Sequence, residues 1–97
     1  MTEEHEFAFY LHQLASKEES AFEEFVELYT KQTYVYVYGI LRNKEDAEDV
    51  VQEVFLKLYT MNEELFPTRG ENVWYYKLCT NLAIVGGIDD EKEVFIA

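Results

Sequence analysis

Between Ala47 and Leu58 the apolar residues Ala47, Val50, Val51, Val54, Phe55 and Leu58 recur at steps of three and one. That rhythm lays one stripe along an α-helix, whereas on a strand the same side chains would scatter over both faces. An amphipathic helix must bury its stripe against other secondary structure, so the rest of the chain has to supply partners for it. Opposite the stripe fall Asp49, Gln52, Glu53 and Leu56, within about 100° of one another on helical geometry. This outer face is acidic and amide-bearing, with an apolar residue in its middle. A charged outer face is ordinarily just solvated; its other use is to dock on a basic partner.

The partners for the stripe are further helices. The first is expected from about Glu3 to Ala15, with Phe7, Tyr10, Leu11 and Leu14 on one side. Ser16-Lys17-Glu18-Glu19 matches a capping box, as does Ser20 to Glu23, so the next helix starts at one or the other. It runs to about Arg42 with Phe22, Phe25, Val26, Tyr29, Thr33, Tyr36, Val37 and Ile40 inward. Within it Thr33 to Tyr38 alternates β-branched and aromatic residues like a strand. The 3.6-residue period continues through the stretch and no second strand is available to pair with it, so helix is expected there, with some tyrosine rings turned outward. Asn43 is placed to cap the third helix, with Asp46 at the third helical position and an acidic first turn. A loop with Pro67 and Gly70 follows, and Asn72 is expected to cap a fourth helix carrying Trp74, Leu78, Asn81, Leu82 and Val85 on one face and ending at Gly86-Gly87. The reading is an all-α domain over residues 1–87, a compact three- to four-helix bundle, followed by an acidic tail over 88–97.

Size and charge narrow the function. At 97 residues and 48% apolar the chain is one small domain with enough material for a core. No apolar run is long enough to span a bilayer, and the acidic start lacks the basic character of a signal peptide; a cytoplasmic protein without a membrane role is expected. One cysteine, Cys79, allows no internal disulfide. His5, His12 and Cys79 form no convincing metal set. No nucleophile-base arrangement and no phosphate-binding glycine loop is present, so neither an enzyme nor a cofactor is expected. Eight basic residues face 20 acidic ones, a net charge of −12. Phosphate binding relies on Lys and Arg, and a basic protein surface is the more natural partner for such a chain.

The wording of three segments resembles a known family. "NKEDAEDVVQEVFLKLY" (Asn43 to Tyr59) is similar to conserved region 2 of bacterial RNA polymerase sigma factors, above all the extracytoplasmic-function (ECF) type. Upstream, "EESAFEEFVELYTKQTYVYVYGILRN" (Glu18 to Asn43) continues the likeness, and downstream "VWYYKLCTNLAI" (Val73 to Ile84) resembles the family's Trp-Leu-Tyr-Arg-Ile-Ala-Arg-Asn-x-Ala signature. The resemblance implies a helical bundle of the region-2 type that takes part in transcription initiation. It implies that Asp49, Gln52 and Glu53 bind a coiled coil of the β′ subunit of core RNA polymerase; Leu56 would supply the apolar centre that such a polar interface needs. It also implies a promoter-facing end that melts DNA and holds a flipped base, for which this chain offers Trp74, Tyr75, Tyr76 and Lys77, with Arg69 in the loop and Asn81 at the family's asparagine. Trp74 and Asn81 lie on an apolar helix face, which also suits them to the core.

The departures from the family pattern fall at that promoter-facing end. Thr80 stands where an Arg is expected, the helix continues as Val85-Gly86-Gly87-Ile88-Asp89-Asp90, and the loop carries Glu63, Glu64 and Glu71. Promoter DNA is therefore expected as a partner only in the context of the polymerase. Ile88 to Ala97 has neither the length nor the periodicity of the helix-turn-helix that such factors carry; a fragment of a longer factor and a stand-alone region-2 homologue both fit. Two rival functions follow. One is a core-binding decoy, or half of a split factor, partnered by an anti-sigma protein or a second sigma-like chain. The other is an acidic helical module that self-associates through its tyrosines and apolar tail.

Overall fold

A computed structural model of the chain describes residues 3–87. Four helices make up the fold: α1 (Glu3–Gln13), α2 (Glu19–Leu41), α3 (Lys44–Thr60) and α4 (Glu71–Gly87). Short 3-10 turns, Leu14–Ser16 and Glu63–Leu65, lie between them, and there is no strand among the described residues. The expected all-α bundle is the observed one. α2, α3 and α4 pack against each other, and α1 lies across α4 and α2. Thr33 to Tyr38 is helical throughout. Its strand-like composition is overridden because Thr33 and Val37 are buried on the same side as Phe25 and Tyr29. The Ile88 to Ala97 tail lies outside the described residues.

All six stripe residues of α3 are buried. They meet Phe25, Tyr29, Thr33 and Val37 of α2 and Tyr75, Cys79 and Ala83 of α4 in one core. Its centre is aromatic. Phe7 of α1 sits with its ring centroid 5.1 Å from Tyr29 and 5.0 Å from Tyr75. Phe25 in turn meets Phe55 of α3 at 6.1 Å, edge to face, an arrangement that satisfies the ring quadrupoles. One ring from the short α1 thus ties α2 to α4.

The connections show which end signals operate. Asn43 caps α3 as expected: its Oδ1 accepts from the Asp46 N–H at 2.9 Å. Arg42 before it is left-handed, φ 56°, and its N–H closes α2 on Tyr38 O at 2.7 Å. The capping boxes at Ser16 and Ser20 do not form. Glu18 is the N-cap of α2, without a side-chain cap bond. Ser16 Oγ donates to Gln13 O at 2.9 Å, inside the turn that ends α1. Lys17, φ 63°, breaks the register between the two helices. Its ammonium donates to Tyr59 O at 2.8 Å and Met61 O at 2.6 Å, so it closes the open carbonyls at the end of α3. Asn72 is not the cap of α4 either. The helix begins at Glu71, and Gly70, φ 65°, provides the carbonyl that accepts the Trp74 N–H at 2.9 Å.

Two faces also differ from expectation. Tyr36 and Ile40 of α2 are each 37% exposed rather than inward. In α4 the buried line is Tyr75, Cys79 and Ala83, while Trp74, Leu78, Asn81 and Leu82 are half-buried and Val85 is exposed. α4 is apolar on nearly every side, so its residue pattern does not select a face; contact with Phe7 and Phe25 does.

Candidate functional site

The buried stripe fixes the rotation of α3, and its outer residues follow from that rotation. Asp49, Gln52, Glu53 and Leu56 occupy positions i, i+3, i+4 and i+7, and all four are exposed. Leu56 is 60% exposed. Among the described residues the one ion pair is His12–Glu71, between α1 and α4, so Asp49 and Glu53 form none there, although Lys57 stands one turn after Glu53 on the same helix. The face also has acidic surroundings: Glu45, Asp46 and Glu48 lie on the same helix and are exposed. A groove between α2 and α3, lined by Lys31, Tyr34, Lys44, Glu48, Val51 and Gln52 among others, borders it and brings two lysines to its edge. Tyr34 and Tyr38 stack beyond it with centroids 5.8 Å apart. Carboxylates and an amide around an apolar side chain can accept charge-assisted hydrogen bonds from Arg while excluding water at the centre.

The residues offered for DNA do not form one surface. Arg69 and Lys77 are exposed. Trp74 is half-buried, its ring edge-on to the buried Phe66 at 6.0 Å, where it pins the loop to the bundle. Tyr75 is a correction: it has no exposed surface, and its hydroxyl shares a 2.7 Å hydrogen bond with Thr33 in the core. It cannot stack on a base without the fold opening. Burial, reinforced by the neighbouring Cys79, holds its phenol above the ordinary value of 10.0. Burial likewise pushes the Cys79 thiol up to about 12, which leaves it protonated and unreactive. Asn81 is half-buried, and its Oδ1 is a buried acceptor with no hydrogen-bond partner.

The ring that does reach the surface of α4 is Tyr76, one position on. It is half-buried and lies 4.6 Å from the Tyr36 ring of α2. Its hydroxyl accepts from Gln32 Nε2 at 2.8 Å. Thr80 Oγ donates to Tyr76 O at 2.8 Å and so accepts from the Tyr36 hydroxyl at 2.7 Å. Tyr76, Lys77 and Asn81 line a shallow groove on this side, with Tyr36 and Val73. The sequence pattern does not signal this network, because its members lie four residues apart on two different helices and only their packing makes them one unit. No group of three or more metal-binding side chains converges among the described residues. No helix among them is long and apolar enough to cross a membrane.

The arrangement is a four-helix bundle whose third helix buries one side and exposes an acidic one. The family model for sigma-70 region 2 matches residues 25–84, more than half of the chain. The ECF RNA polymerase sigma factor SigW of Bacillus subtilis (strain 168) is 32% identical over 72 residues, which is 74% of this chain and 38% of SigW. No solved structure matches the chain. The chain belongs to the sigma-70 region 2 family, and within it to the ECF type. It spans less than half the length of the curated relative it matches.

Proposed function

We propose that this domain binds core RNA polymerase and serves transcription initiation, with the outer face of α3 as the anchor. Asp49, Gln52 and Glu53 accept hydrogen bonds from basic residues of the β′ coiled coil, and Leu56 is the apolar centre that is covered on docking. The observation that carries this reading is Leu56, 60% exposed on the same face as Asp49 and Glu53, neither of which forms an ion pair among the described residues. An isolated exposed leucine is ordinary; one in line with Asp49, Gln52 and Glu53 on a helix whose opposite side is entirely buried is shaped for an interface. Such a contact takes place in the cytoplasm. Promoter DNA is engaged only when the polymerase holds it against the domain, because Lys77 alone supplies a cation in the α4 groove and each phosphate contact needs one.

Capture of a purified β′ coiled-coil segment, read by calorimetry, tests the anchor. Asp49→Lys and Glu53→Lys should each weaken it by about 2 kcal/mol or more, which is roughly thirtyfold in Kd. Circular dichroism should be unchanged, because both side chains are exposed. Affinity unaltered by both substitutions would remove the proposed surface.

The charge balance of the α4 side favours a second form of the same function: a core-binding partner chain that leaves DNA reading to another protein. Binding of the coiled coil without any gain in promoter opening by the reconstituted polymerase would select it.

A further inference from the structure

A cleft of about 340 Å3 opens where α1, α2 and α4 meet, away from the α3 face. Its wall includes Glu6, Tyr10, Tyr29, Gln32, Asn72 and Tyr76. Three features set it apart from the rest of the surface. First, three of these six residues are tyrosines, and their rings are held in place: Tyr29 is locked against the buried Phe7 at 5.1 Å, Tyr10 stands against Tyr29 at 6.3 Å, and Tyr76 is fixed by Tyr36 and Gln32. Second, the polar groups are a carboxylate and amides. Gln32 spends its Nε2 on the Tyr76 hydroxyl, which leaves its Oε1 to accept. Third, neither lysine nor arginine lines the cleft among the described residues, whereas the two adjoining grooves carry Lys31 and Lys77.

Aromatic faces beside a carboxylate that forms no ion pair among the described residues attract a guanidinium, which stacks on the rings and donates to the acceptors in one plane. At the mouth of the cleft Leu28 is 48% exposed, and the adjoining groove continues along α2 to Val35, 60% exposed, and Tyr36. The charged pocket therefore opens onto an apolar track. We propose that this cleft is a receptor site for one arginine side chain of a partner protein segment, whose flanking apolar residues lie on Leu28, Val35 and Tyr36. The net charge of −12 draws basic segments toward the domain; the cleft selects where the arginine seats. This site is separate from the α3 anchor, and neither depends on the other.

The test uses the full 97-residue chain, labelled with 15N, and the blocked pentapeptide acetyl-Leu-Ala-Arg-Ala-Leu-amide as probe. Saturable shifts are expected at the side-chain amides of Gln32 and Asn72 and the backbone amide of Tyr76. The same peptide with citrulline for arginine keeps the shape and loses the charge, and should bind at least about tenfold more weakly. Glu6→Gln should weaken the arginine peptide about fivefold or more. Glu63→Gln, which removes the same formal charge from the loop before α4, should leave it unchanged. Tyr10→Leu keeps an apolar side chain at its place and removes the ring, and should weaken the peptide as well. Equal binding of the citrulline peptide, equal loss in Glu6→Gln and Glu63→Gln, or no saturable shift at these amides would overturn the proposal. A single DNA strand that shifts the same amides more tightly than the arginine peptide would overturn it too, and would assign the cleft to nucleic acid.

Discussion

Thr33 and Tyr75 each bury a hydroxyl completely, and each is the other's partner at 2.7 Å. Removing one member of such a pair strands the other away from water, which costs about 1–3 kcal/mol, while removing both leaves nothing stranded. Tyr75→Phe and Thr33→Val should each lower stability to denaturant by an amount in that range. The double variant should lose less than the sum of the two, and additive losses would show that the bond contributes nothing of its own. The same burial removes Tyr75 from the DNA-facing residues that the family likeness suggests. Its neighbours in sequence, Trp74 and Tyr76, are chemically similar and half-buried. Which of three consecutive aromatic residues is enclosed depends on the rotation of α4 against Phe7 and Phe25, and no property of the residue itself records that rotation.

The contrast between α3 and α4 shows what makes an element legible. In α3 the apolar and charged positions separate cleanly, so the order of residues alone identifies the buried six and the exposed Asp49, Gln52, Glu53 and Leu56. The start of α3 is legible too, because Asn43 carries a local hydrogen bond that needs no tertiary partner. Asn43→Ala should destabilise the domain by about 1 kcal/mol, measured as a fall in the urea midpoint at constant m-value; no change would mean that the α2–α3 turn is held by packing alone. The start of α2 departs from its sequence signal for a related reason. Ser16 and Ser20 both satisfy the capping pattern, but the left-handed Lys17 sends the Ser16 hydroxyl back into the preceding turn. Lys17 takes up that geometry where its ammonium reaches the carbonyls of Tyr59 and Met61, which lie 42 and 44 residues away in sequence. A cap can be read locally; a side chain that closes a distant helix cannot.

At the scale of the whole molecule, charge governs both pH response and partners. Cys79, ordinarily near 9.0, is pushed up to about 12 by burial, and Tyr75 lies above its ordinary 10.0. The folded state therefore keeps protons that the unfolded chain gives up. The stability these groups contribute is intact below about pH 9 and declines as pH rises beyond it. Glu71 has the opposite sign. Its hydrogen bond with His12 lowers it below 4.5, so its contribution is present above that value and declines as pH falls through the folded value. Thermal melts across pH should show a plateau with a fall on each side, and Cys79→Ala should delay the onset of the alkaline fall. An alkaline limb identical in the variant would exclude the thiol as a cause. With a net charge of −12, the isolated domain should show no measurable affinity for a labelled AT-rich single strand at physiological salt, by fluorescence anisotropy. Stacking on exposed rings contributes about 1–3 kcal/mol per base, against long-range repulsion. Sequence-dependent binding at low micromolar concentration would show that the aromatic groove around Tyr76 outweighs charge.

The amino-acid sequence by itself determined the helical class, the four helices to within about one turn, the buried face of α3 and, with it, the acidic outer face. These depend on periodicity and on hydrogen bonds between near neighbours, which the order of residues specifies directly. The tertiary structure alone decided which ring of the Trp74-Tyr75-Tyr76 run is enclosed, how Lys17 closes α3, and that Tyr10, Tyr29, Gln32 and Tyr76 surround one cleft. The physical reason is that a helix apolar on most sides, like α4, has many orientations of similar burial energy. The choice among them is made by the shapes and hydroxyl partners of residues that meet only once the bundle has closed.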